Sequence, residues 1–181
     1  MHGTEAPSPW IQRWSHLIAP ASAVLDLACG AGRHMQYLNG LGHRVLGVDR
    51  SEEALVAAGA WGKTLQVDIE NGPWPLTDQT FGAVVVTNYL WRPLWPQILA
   101  SVHSGGVLLY ETFAQGHETV GRPSRADFLL THGELLQVAA QGGLRVVAYE
   151  DGFLDTPERF VQRLAAVREA PAPGPARWPL V

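Results

Sequence analysis

Three aspartates, Asp26, Asp49 and Asp68, each follow a short apolar run of residues. Runs of this kind predict buried β-strands. The carboxyl ends of neighbouring parallel strands share one edge of a sheet, so we expect the three carboxylates to border one crevice. Carboxylates in that position accept hydrogen bonds from the hydroxyl and amino groups of a nucleoside-like ligand.

A glycine turn follows the first of these strands, in the sequence VLDLACGAGRH of residues 24–34. Gly30 and Gly32 let the backbone approach a ligand closely, and a helical pattern begins directly after them. A dinucleotide-binding motif would have a third glycine where Met35 stands, so an NAD(P)-dependent oxidoreductase is the weaker interpretation. Asp49 lies about twenty residues past the glycines, where an acid would accept both ribose hydroxyls.

The bulk composition predicts one globular domain. The chain has 181 residues with 13 basic and 17 acidic side chains and a net charge of -4, which does not favour nucleic-acid binding. We expect a domain over residues 1–170, with 1–22 as an N-terminal cap segment, and a flexible proline-rich tail over 171–181. No secretory signal or membrane-spanning run is apparent, so a cytoplasmic protein is expected. Cys29 is the single cysteine, and no metal site is predicted.

Strands and helices alternate along the chain. Helices are expected at 9–18, 32–41, 51–60, 92–101 and 132–142, and strands at 23–28, 44–48, 64–67, 82–87, 106–112, 144–150 and 159–168. This alternation predicts an α/β fold with a doubly wound, seven-stranded, mostly parallel, Rossmann-like sheet. The last two strands are joined by a short non-helical link over residues 151–158, which predicts an antiparallel C-terminal hairpin.

The segment from Asp26 to Gly32, an acid followed by G-x-G, resembles motif I of the class I S-adenosylmethionine-dependent methyltransferases. The sequences DLACGAGRH and GVDRS, together with residues 8–14, are similar to small bacterial methyltransferases related to the tellurite-resistance type. The resemblance implies S-adenosyl-L-methionine as cofactor. Gly82 stands where the family usually has an acid after the aromatic residue of the fourth strand.

The resemblance also implies positions for the cofactor-binding residues. Asp49 would accept the ribose hydroxyls, Asp68 would accept a bond from the adenine amino group, and Ile69 would cover the adenine face. Arg13, in the N-terminal segment, would pair with the methionine carboxylate. The expected set is Trp10, Arg13, Asp26, Ala28, Cys29, Gly30, Gly32, His34, Asp49, Arg50, Ser51, Asp68, Ile69, Thr87, Asn88 and Tyr89. Several of these have a simpler structural alternative, as helix caps, loop caps or core packing.

The sequence gives less information about the methyl acceptor than about the cofactor. The fourth strand ends in Thr87, Asn88 and Tyr89 without the Asn-Pro-Pro-Tyr of methyltransferases that act on adenine or glutamine. A small-molecule acceptor is therefore expected, with a lid over residues 110–128. The candidate catalytic residues are Glu111 and His117 as bases and Tyr89 at the strand end.

Two questions stay open at this stage. The cluster of Tyr89, Trp91, Arg92 and Trp95 is either a wall of the acceptor site or core packing at the start of a helix. The chain is either a methyltransferase or a module that binds S-adenosylmethionine without catalysis and acts through a protein partner.

Overall fold

A computed structural model describes residues 5–180 and contains five α-helices and seven strands in that range. The helices are α1 (Pro9–Trp14), α2 (Arg33–Gly40), α3 (Glu52–Ala58), α4 (Trp95–Ala100) and α5 (Glu134–Gln141). The strands are β1 (Ala23–Leu27), β2 (Arg44–Asp49), β3 (Lys63–Gln66), β4 (Phe81–Thr87), β5 (Val102–Phe113), β6 (Arg145–Asp155) and β7 (Glu158–Val167).

The strands form one sheet in the order β3-β2-β1-β4-β5-β7-β6. The first five are parallel, and β7 lies antiparallel between β5 and β6. The predicted seven-stranded, mostly parallel sheet with an antiparallel end is confirmed. Its order reverses between β1 and β4, and in such sheets a ligand crevice opens at the point of reversal.

Both faces of the sheet are covered by helices, because the strand residues alternate between two cores. Leu25, Leu27, Val84 and Val86 point to a core that includes side chains of α4 and α5. The intervening Val24, Ala83 and Val85 belong to a second core with α1, α2 and α3. This two-sided burial explains why β4 is buried along its whole length and reads as a continuous apolar run.

The C-terminal hairpin is longer than predicted. Residues 151–158 were expected to be a loop, but β6 and β7 pair continuously from Arg145↔Val167 to Asp155↔Glu158, with a register shift near Val146. The expectation of a loop was wrong because these mostly polar residues lack an apolar alternation of their own; Phe153, which packs on Phe160 with ring centroids 4.9 Å apart, is an exception. Their strand conformation comes from the ladder of backbone hydrogen bonds with the partner strand.

Near each end of the described range, residues 5–180, the chain contacts the domain. Ser8 caps α1, its Oγ accepting a hydrogen bond from the Trp10 backbone N–H at 3.1 Å. In the tail, Trp178 packs against the second core and donates to Glu169 at 3.3 Å. The predicted cap segment and tail include residues 1–4 and 181, which lie outside the described residues. Within residues 5–180, no helix has both the length and the apolar character needed to cross a bilayer.

Candidate functional site

The turn between β1 and α2 is held to the end of β2 by one carboxylate. Asp49 accepts hydrogen bonds from the backbone N–H groups of Gly30 and Ser51, both at 2.9 Å. The turn is left-handed at Ala28 (φ 55°), Gly30 (φ 54°) and Gly32 (φ 85°). Strained backbone of this kind is frequent at ligand sites.

A first cavity of about 280 Å³ lies over this turn. It is bordered by Glu5, Ala28, Cys29, Gly30, Ala31, Arg33, His34, Thr87 and Asn88. A Cβ atom built on Gly30 would meet no protein atom within 4 Å. The glycine therefore leaves open the space that a side chain would take, as expected where backbone approaches a ligand.

A second cavity of about 150 Å³ adjoins the first, and Ala28 borders both. Its other residues are Asp49, Arg50, Val67, Asp68, Ile69, Glu70 and Tyr89. The Asp68 carboxylate is fixed by the Asn71 side chain at 2.8 Å and by the backbone N–H of Glu70 at 3.0 Å. These hydrogen bonds, that of Asn71 first, lower the pKa of Asp68 and keep it ionised.

A third cavity of about 570 Å³ continues from the first, with Glu5, Arg33 and Asn88 in common. It extends to Glu111 and His117. A fourth cavity of about 230 Å³ also includes Asn88. Asn88 thus borders three of these cavities, at a left-handed backbone position (φ 53°) where its N–H donates to the Glu111 carbonyl at 2.9 Å.

His34 joins the N-terminal segment to α2 at the back of the first cavity. Its Nε2 accepts a hydrogen bond from the Ser8 backbone N–H at 3.1 Å, and its Nδ1 lies 3.4 Å from Thr87 Oγ1. Burial, with the positive charge of Arg33 added, lowers the pKa of His34 to about 3. The imidazole is neutral at physiological pH, and because Nε2 accepts, Nδ1 carries the proton.

Two further residues near the turn have shifted pKa values. Burial raises the pKa of Asp26 to about 7, with the nearby Asp49 adding to the rise and Arg33 opposing it. Burial also raises the pKa of the Cys29 thiol, and the carboxylates of Asp26 and Asp49 add to this. Cys29 is therefore a thiol at neutral pH, which makes it a poor nucleophile.

The structure brings most of the predicted cofactor residues together. Eleven border the first two cavities: Ala28, Cys29, Gly30, His34, Asp49, Arg50, Asp68, Ile69, Thr87, Asn88 and Tyr89. Asp26 is buried outside both cavities. Gly32 is needed for helix packing, since a Cβ there would come within 2.9 Å of Ala58 Cα. Ser51 caps α3 through its side chain, with its Oγ 3.2 Å from the Ala54 backbone nitrogen.

The N-terminal residues depart from the prediction. Trp10 is only 1% exposed and its indole N–H donates to the Leu164 carbonyl at 3.1 Å, so it is a core residue and not a cofactor contact. Arg13 lies outside the cavities and pairs with Glu150 at 3.4 Å. α1 packs its tryptophans into the second core, and neither Trp10 nor Arg13 borders any of the four cavities.

Of the two interpretations left open for the cluster of Tyr89, Trp91, Arg92 and Trp95, the structure favours core packing, although Tyr89 also borders the second and fourth cavities. Tyr89, Trp91 and Trp95 pack against the first core. Arg92 makes two hydrogen bonds to the Glu134 carboxylate, at 2.6 and 3.0 Å, and two to backbone carbonyls of residues 127 and 129. Its charge is therefore used to tie α4 to the segment before α5, and it is not available to an acceptor.

The three candidate catalytic residues border the outer cavities. Glu111 is fully buried, accepts from Ser8 Oγ at 3.1 Å, and lies 2.8 Å from Arg163 Nε. His117 stacks on Phe113 with ring centroids 4.3 Å apart. Tyr89 borders the second and fourth cavities, and burial raises the pKa of its hydroxyl, with the nearby Glu70 carboxylate as a further cause.

The sequence reasoning missed two residues at the mouth of the first cavity. Arg33 and Glu5 both border it and pair with each other at 3.2 Å. Arg33 follows the G-x-G pattern directly, and its position at the first turn of α2 was the available signal. Glu5 carried no such signal in the sequence, because only the three-dimensional course of the N-terminal segment brings it to the cavity.

Comparison with known proteins relates the chain to methyltransferases by sequence and by fold. Residues 24–105 match the model of a methyltransferase domain family. No curated protein matches the chain. The solved structure of TehB from Haemophilus influenzae is similar, with a TM-score of 0.74 at 22% identity over 92% of this chain, which spans 64% of that chain.

Two further solved structures share the fold. A TehB-like SAM-dependent methyltransferase from Corynebacterium glutamicum has a TM-score of 0.65 at 18% identity, covering 88% of this chain and 87% of its own. The glycopeptide N-methyltransferase MtfA, in complex with S-adenosyl-L-methionine, has a TM-score of 0.61 at 19% identity, covering 88% and 92%. The family model therefore matches the predicted methyltransferase class over residues 24–105, and the solved structures confirm the predicted fold.

Proposed function

We propose that the chain transfers a methyl group from S-adenosylmethionine to a small-molecule acceptor. The observation that carries this proposal is the junction at Asn88, where the cavity over the glycine turn meets the two outer cavities. Donor and acceptor bound on either side of this junction would face each other. The named substrates of the structural neighbours include a glycopeptide and a ribosomal protein, so the fold alone does not select the acceptor.

The residues of the first two cavities fit an adenosyl sulfonium. The open space at Gly30 suits a ligand that lies against the backbone. Asp49 would take the ribose hydroxyls, and the apolar side chains of Val67 and Ile69 would cover the adenine. Arg33 is the guanidinium that borders the first cavity, and we assign it the methionine carboxylate in place of Arg13.

The cofactor brings an already activated methyl group, so the chain needs to orient the acceptor and exclude water. An acceptor that loses a proton on methylation also needs a base. His117 Nε2 lies 3.0 Å from the Arg122 carbonyl, which only accepts, so Nε2 carries the ring proton of the neutral imidazole. Its Nδ1 then keeps a lone pair and has no protein partner among residues 5–180.

His117 is therefore the base we favour over Glu111. The Glu111 carboxylate already accepts from Ser8 and lies between two guanidinium groups, of Arg159 and Arg163. Both of its oxygens are therefore already engaged by protein groups. Glu111 then positions the arginines, and Tyr89 lines the passage between the cofactor and acceptor cavities.

Calorimetric titration with S-adenosylmethionine, S-adenosylhomocysteine and NADPH tests the donor side. We expect binding of the first two and none of NADPH. An assay of S-adenosylhomocysteine release over an acceptor library then tests transfer. Binding of NADPH alone would refute the proposal, and tight cofactor binding with no turnover of any small molecule would favour the non-catalytic module.

A further inference from the structure

Arg159, near the start of β7, is a cation whose hydrogen-bonding capacity is largely unused. Its side chain is only 16% exposed, and its Nε has no hydrogen-bond partner among residues 5–180. The nearest carboxylate oxygen is Glu111 Oε1, at 3.7 Å from Nη2. A guanidinium has five N–H donors, and leaving them unpaired in a buried place costs free energy.

Glu111 does not neutralise Arg159 by itself. Its Oε2 lies 2.8 Å from Arg163 Nε, and its Oε1 is the oxygen that Ser8 Oγ approaches to 3.1 Å. Arg163 is further paired with Glu150 at 3.2 Å. Arg163 is thus held from two sides, while Arg159 has only the longer contact. Of the two arginines, Arg159 is the one that borders the third cavity.

The cavity in front of Arg159 is large and mixed in character. Its volume of about 570 Å³ would hold an organic molecule and far exceeds what a small inorganic oxyanion fills. Apolar walls are supplied by Pro9 and Phe113, and the adjoining fourth cavity adds Leu90 and Phe128. An occupant that satisfies both regions has an anionic group at one end and an apolar or aromatic body.

We infer that the methyl acceptor is an organic carboxylic acid whose carboxylate is bound by Arg159, while its apolar body lies along Phe113 toward Asn88. This inference rests on the proposed function of the same site. A guanidinium pairs with a carboxylate through two parallel hydrogen bonds, which fixes orientation as well as charge. The wall of this cavity holds three carboxylates, of Glu5, Glu111 and Glu158, and three guanidinium groups, of Arg33, Arg122 and Arg159. It therefore has no excess of positive charge that would favour a doubly charged phosphate over a singly charged carboxylate.

The test uses the full chain saturated with S-adenosylhomocysteine and a panel of acids, each with its own primary amide. The panel contains 4-hydroxybenzoate, 3-(4-hydroxyphenyl)propionate and indole-3-acetate, with sodium selenite and inorganic phosphate as separate arms. Calorimetry measures the dissociation constants. We expect at least one acid to bind at least tenfold more tightly than its amide, and neither inorganic anion to compete with it.

Substitution of Arg159 completes the test. We expect Arg159→Gln to weaken binding of that acid at least tenfold and Arg159→Lys to weaken it less, because the charge is kept but the paired hydrogen bonds are lost. Arg145→Gln is the matched control, since Arg145 pairs with Glu169 away from the cavity and its loss should leave binding unchanged. The Lys variant also serves if the Gln variant does not fold.

The outcomes separate this inference from the proposed function. Failure to bind S-adenosylhomocysteine would overturn the proposed function itself. Binding of S-adenosylhomocysteine, with acids and amides binding equally or not at all, would overturn only the inference. Undiminished acid binding in both Arg159 variants, or selenite bound in an Arg159-dependent way with no acid bound, would overturn it as well.

Discussion

At the scale of single residues, Asp49 has two tasks. Its carboxylate holds the glycine turn against β2 through Gly30 and Ser51, and it borders the cavity assigned to the adenosyl group. A ligand that places two hydroxyls there must share these oxygens with the backbone. The same carboxylate therefore shapes the turn and would recognise what binds to it.

Replacement of Asp49 by Asn should separate these tasks in part. The Asn side chain keeps one oxygen acceptor but loses the charge, so we expect S-adenosylhomocysteine to bind about 10- to 100-fold more weakly. Removal of the whole group in Asp49→Ala should also lower the free energy of unfolding by about 1 kcal/mol, because the turn loses its anchors. Calorimetry and urea denaturation measure the two effects. Asp78→Asn, in a distant loop, is the control, and unchanged affinity in Asp49→Asn would refute the ribose role.

Asp26 differs from the other two aspartates, because its environment favours the protonated form. Its pKa is about 7 in the folded protein against 3.8 in the unfolded chain. Between these values the folded state binds more protons, so its stabilisation is complete below about pH 4 and is lost as the pH rises through 7.

Asp26→Asn should therefore become more stable relative to the parent chain as the pH is raised from about 4 to about 8, by a few kcal/mol in all. Asn cannot ionise, and the pH dependence of His34 and of other groups cancels in the difference between the two proteins. Urea denaturation of the unliganded proteins across this pH range gives the measurement. A difference that does not change with pH would show that Asp26 is ionised in the fold.

The sequence did not distinguish these three aspartates. All three were predicted to stand at strand ends, yet one is buried below the turn, one holds it, and one lies exposed on a loop. Their positions along the chain follow from local apolar runs, which sequence shows. Their depth depends on how α2 and the β3 loop pack, which local pattern does not encode.

At the scale of elements, Arg92 holds the segment before α5 in place. Its guanidinium binds the Glu134 carboxylate and two backbone carbonyls, across a separation of up to 42 residues. The predicted lid over residues 110–128 leads into this segment. This one half-buried side chain thus anchors the segment that follows the predicted lid.

Arg92→Met should free this connection while keeping much of the side-chain volume. We expect a loss of about 1 to 3 kcal/mol in the free energy of unfolding and faster proteolytic cleavage between residues 115 and 131, since two backbone carbonyls, one of them partly buried, and a carboxylate lose their donor. Arg125→Met removes an exposed pair with Asp127 and should change neither measurement. Equal cleavage rates in the Arg92 variant and the parent would contradict this role.

The parallel strands were predictable, because β1, β2 and β4 are apolar runs bounded by turn residues. The hairpin of β6 and β7 was predictable in its direction but not in its length, since its outer half is mostly polar and is held by strand pairing and by the contact of Phe153 with Phe160. The 3-10 turn at residues 92–94, which precedes α4, also departs from the single predicted helix. Pro93 within this turn and Pro96 in the first turn of α4 explain the irregular start.

At the scale of the whole molecule, the tail is part of the domain surface. The predicted flexible segment after residue 170 places Trp178 against the core formed with α1, and the Pro179 carbonyl lies 3.0 Å from His16 Nε2. Composition predicted no element there, and none forms over residues 171–180, the part of the tail that the structure describes. A single tryptophan is enough to hold an irregular segment to the fold.

Trp178→Ala should lower the free energy of unfolding by about 1 to 2 kcal/mol, because a half-buried indole loses its contacts. Leu180→Ala serves as the control, since that side chain is 72% exposed and should have little effect. Chemical denaturation followed by circular dichroism gives both values. Equal stability of the Trp178 variant and the parent would restore the interpretation of a freely moving tail.

The continuous hairpin has an evolutionary consequence. Its inner half is embedded in the sheet beside β5, whereas its turn carries Pro157, Glu158 and Arg159 to the wall of the third cavity. The residues that we assign to the methyl donor lie in the first half of the chain, and none of them belongs to that turn. Descendants of such a domain can therefore acquire new acceptors by exchanging a few residues at one β-turn, without rebuilding the ancestral donor pocket.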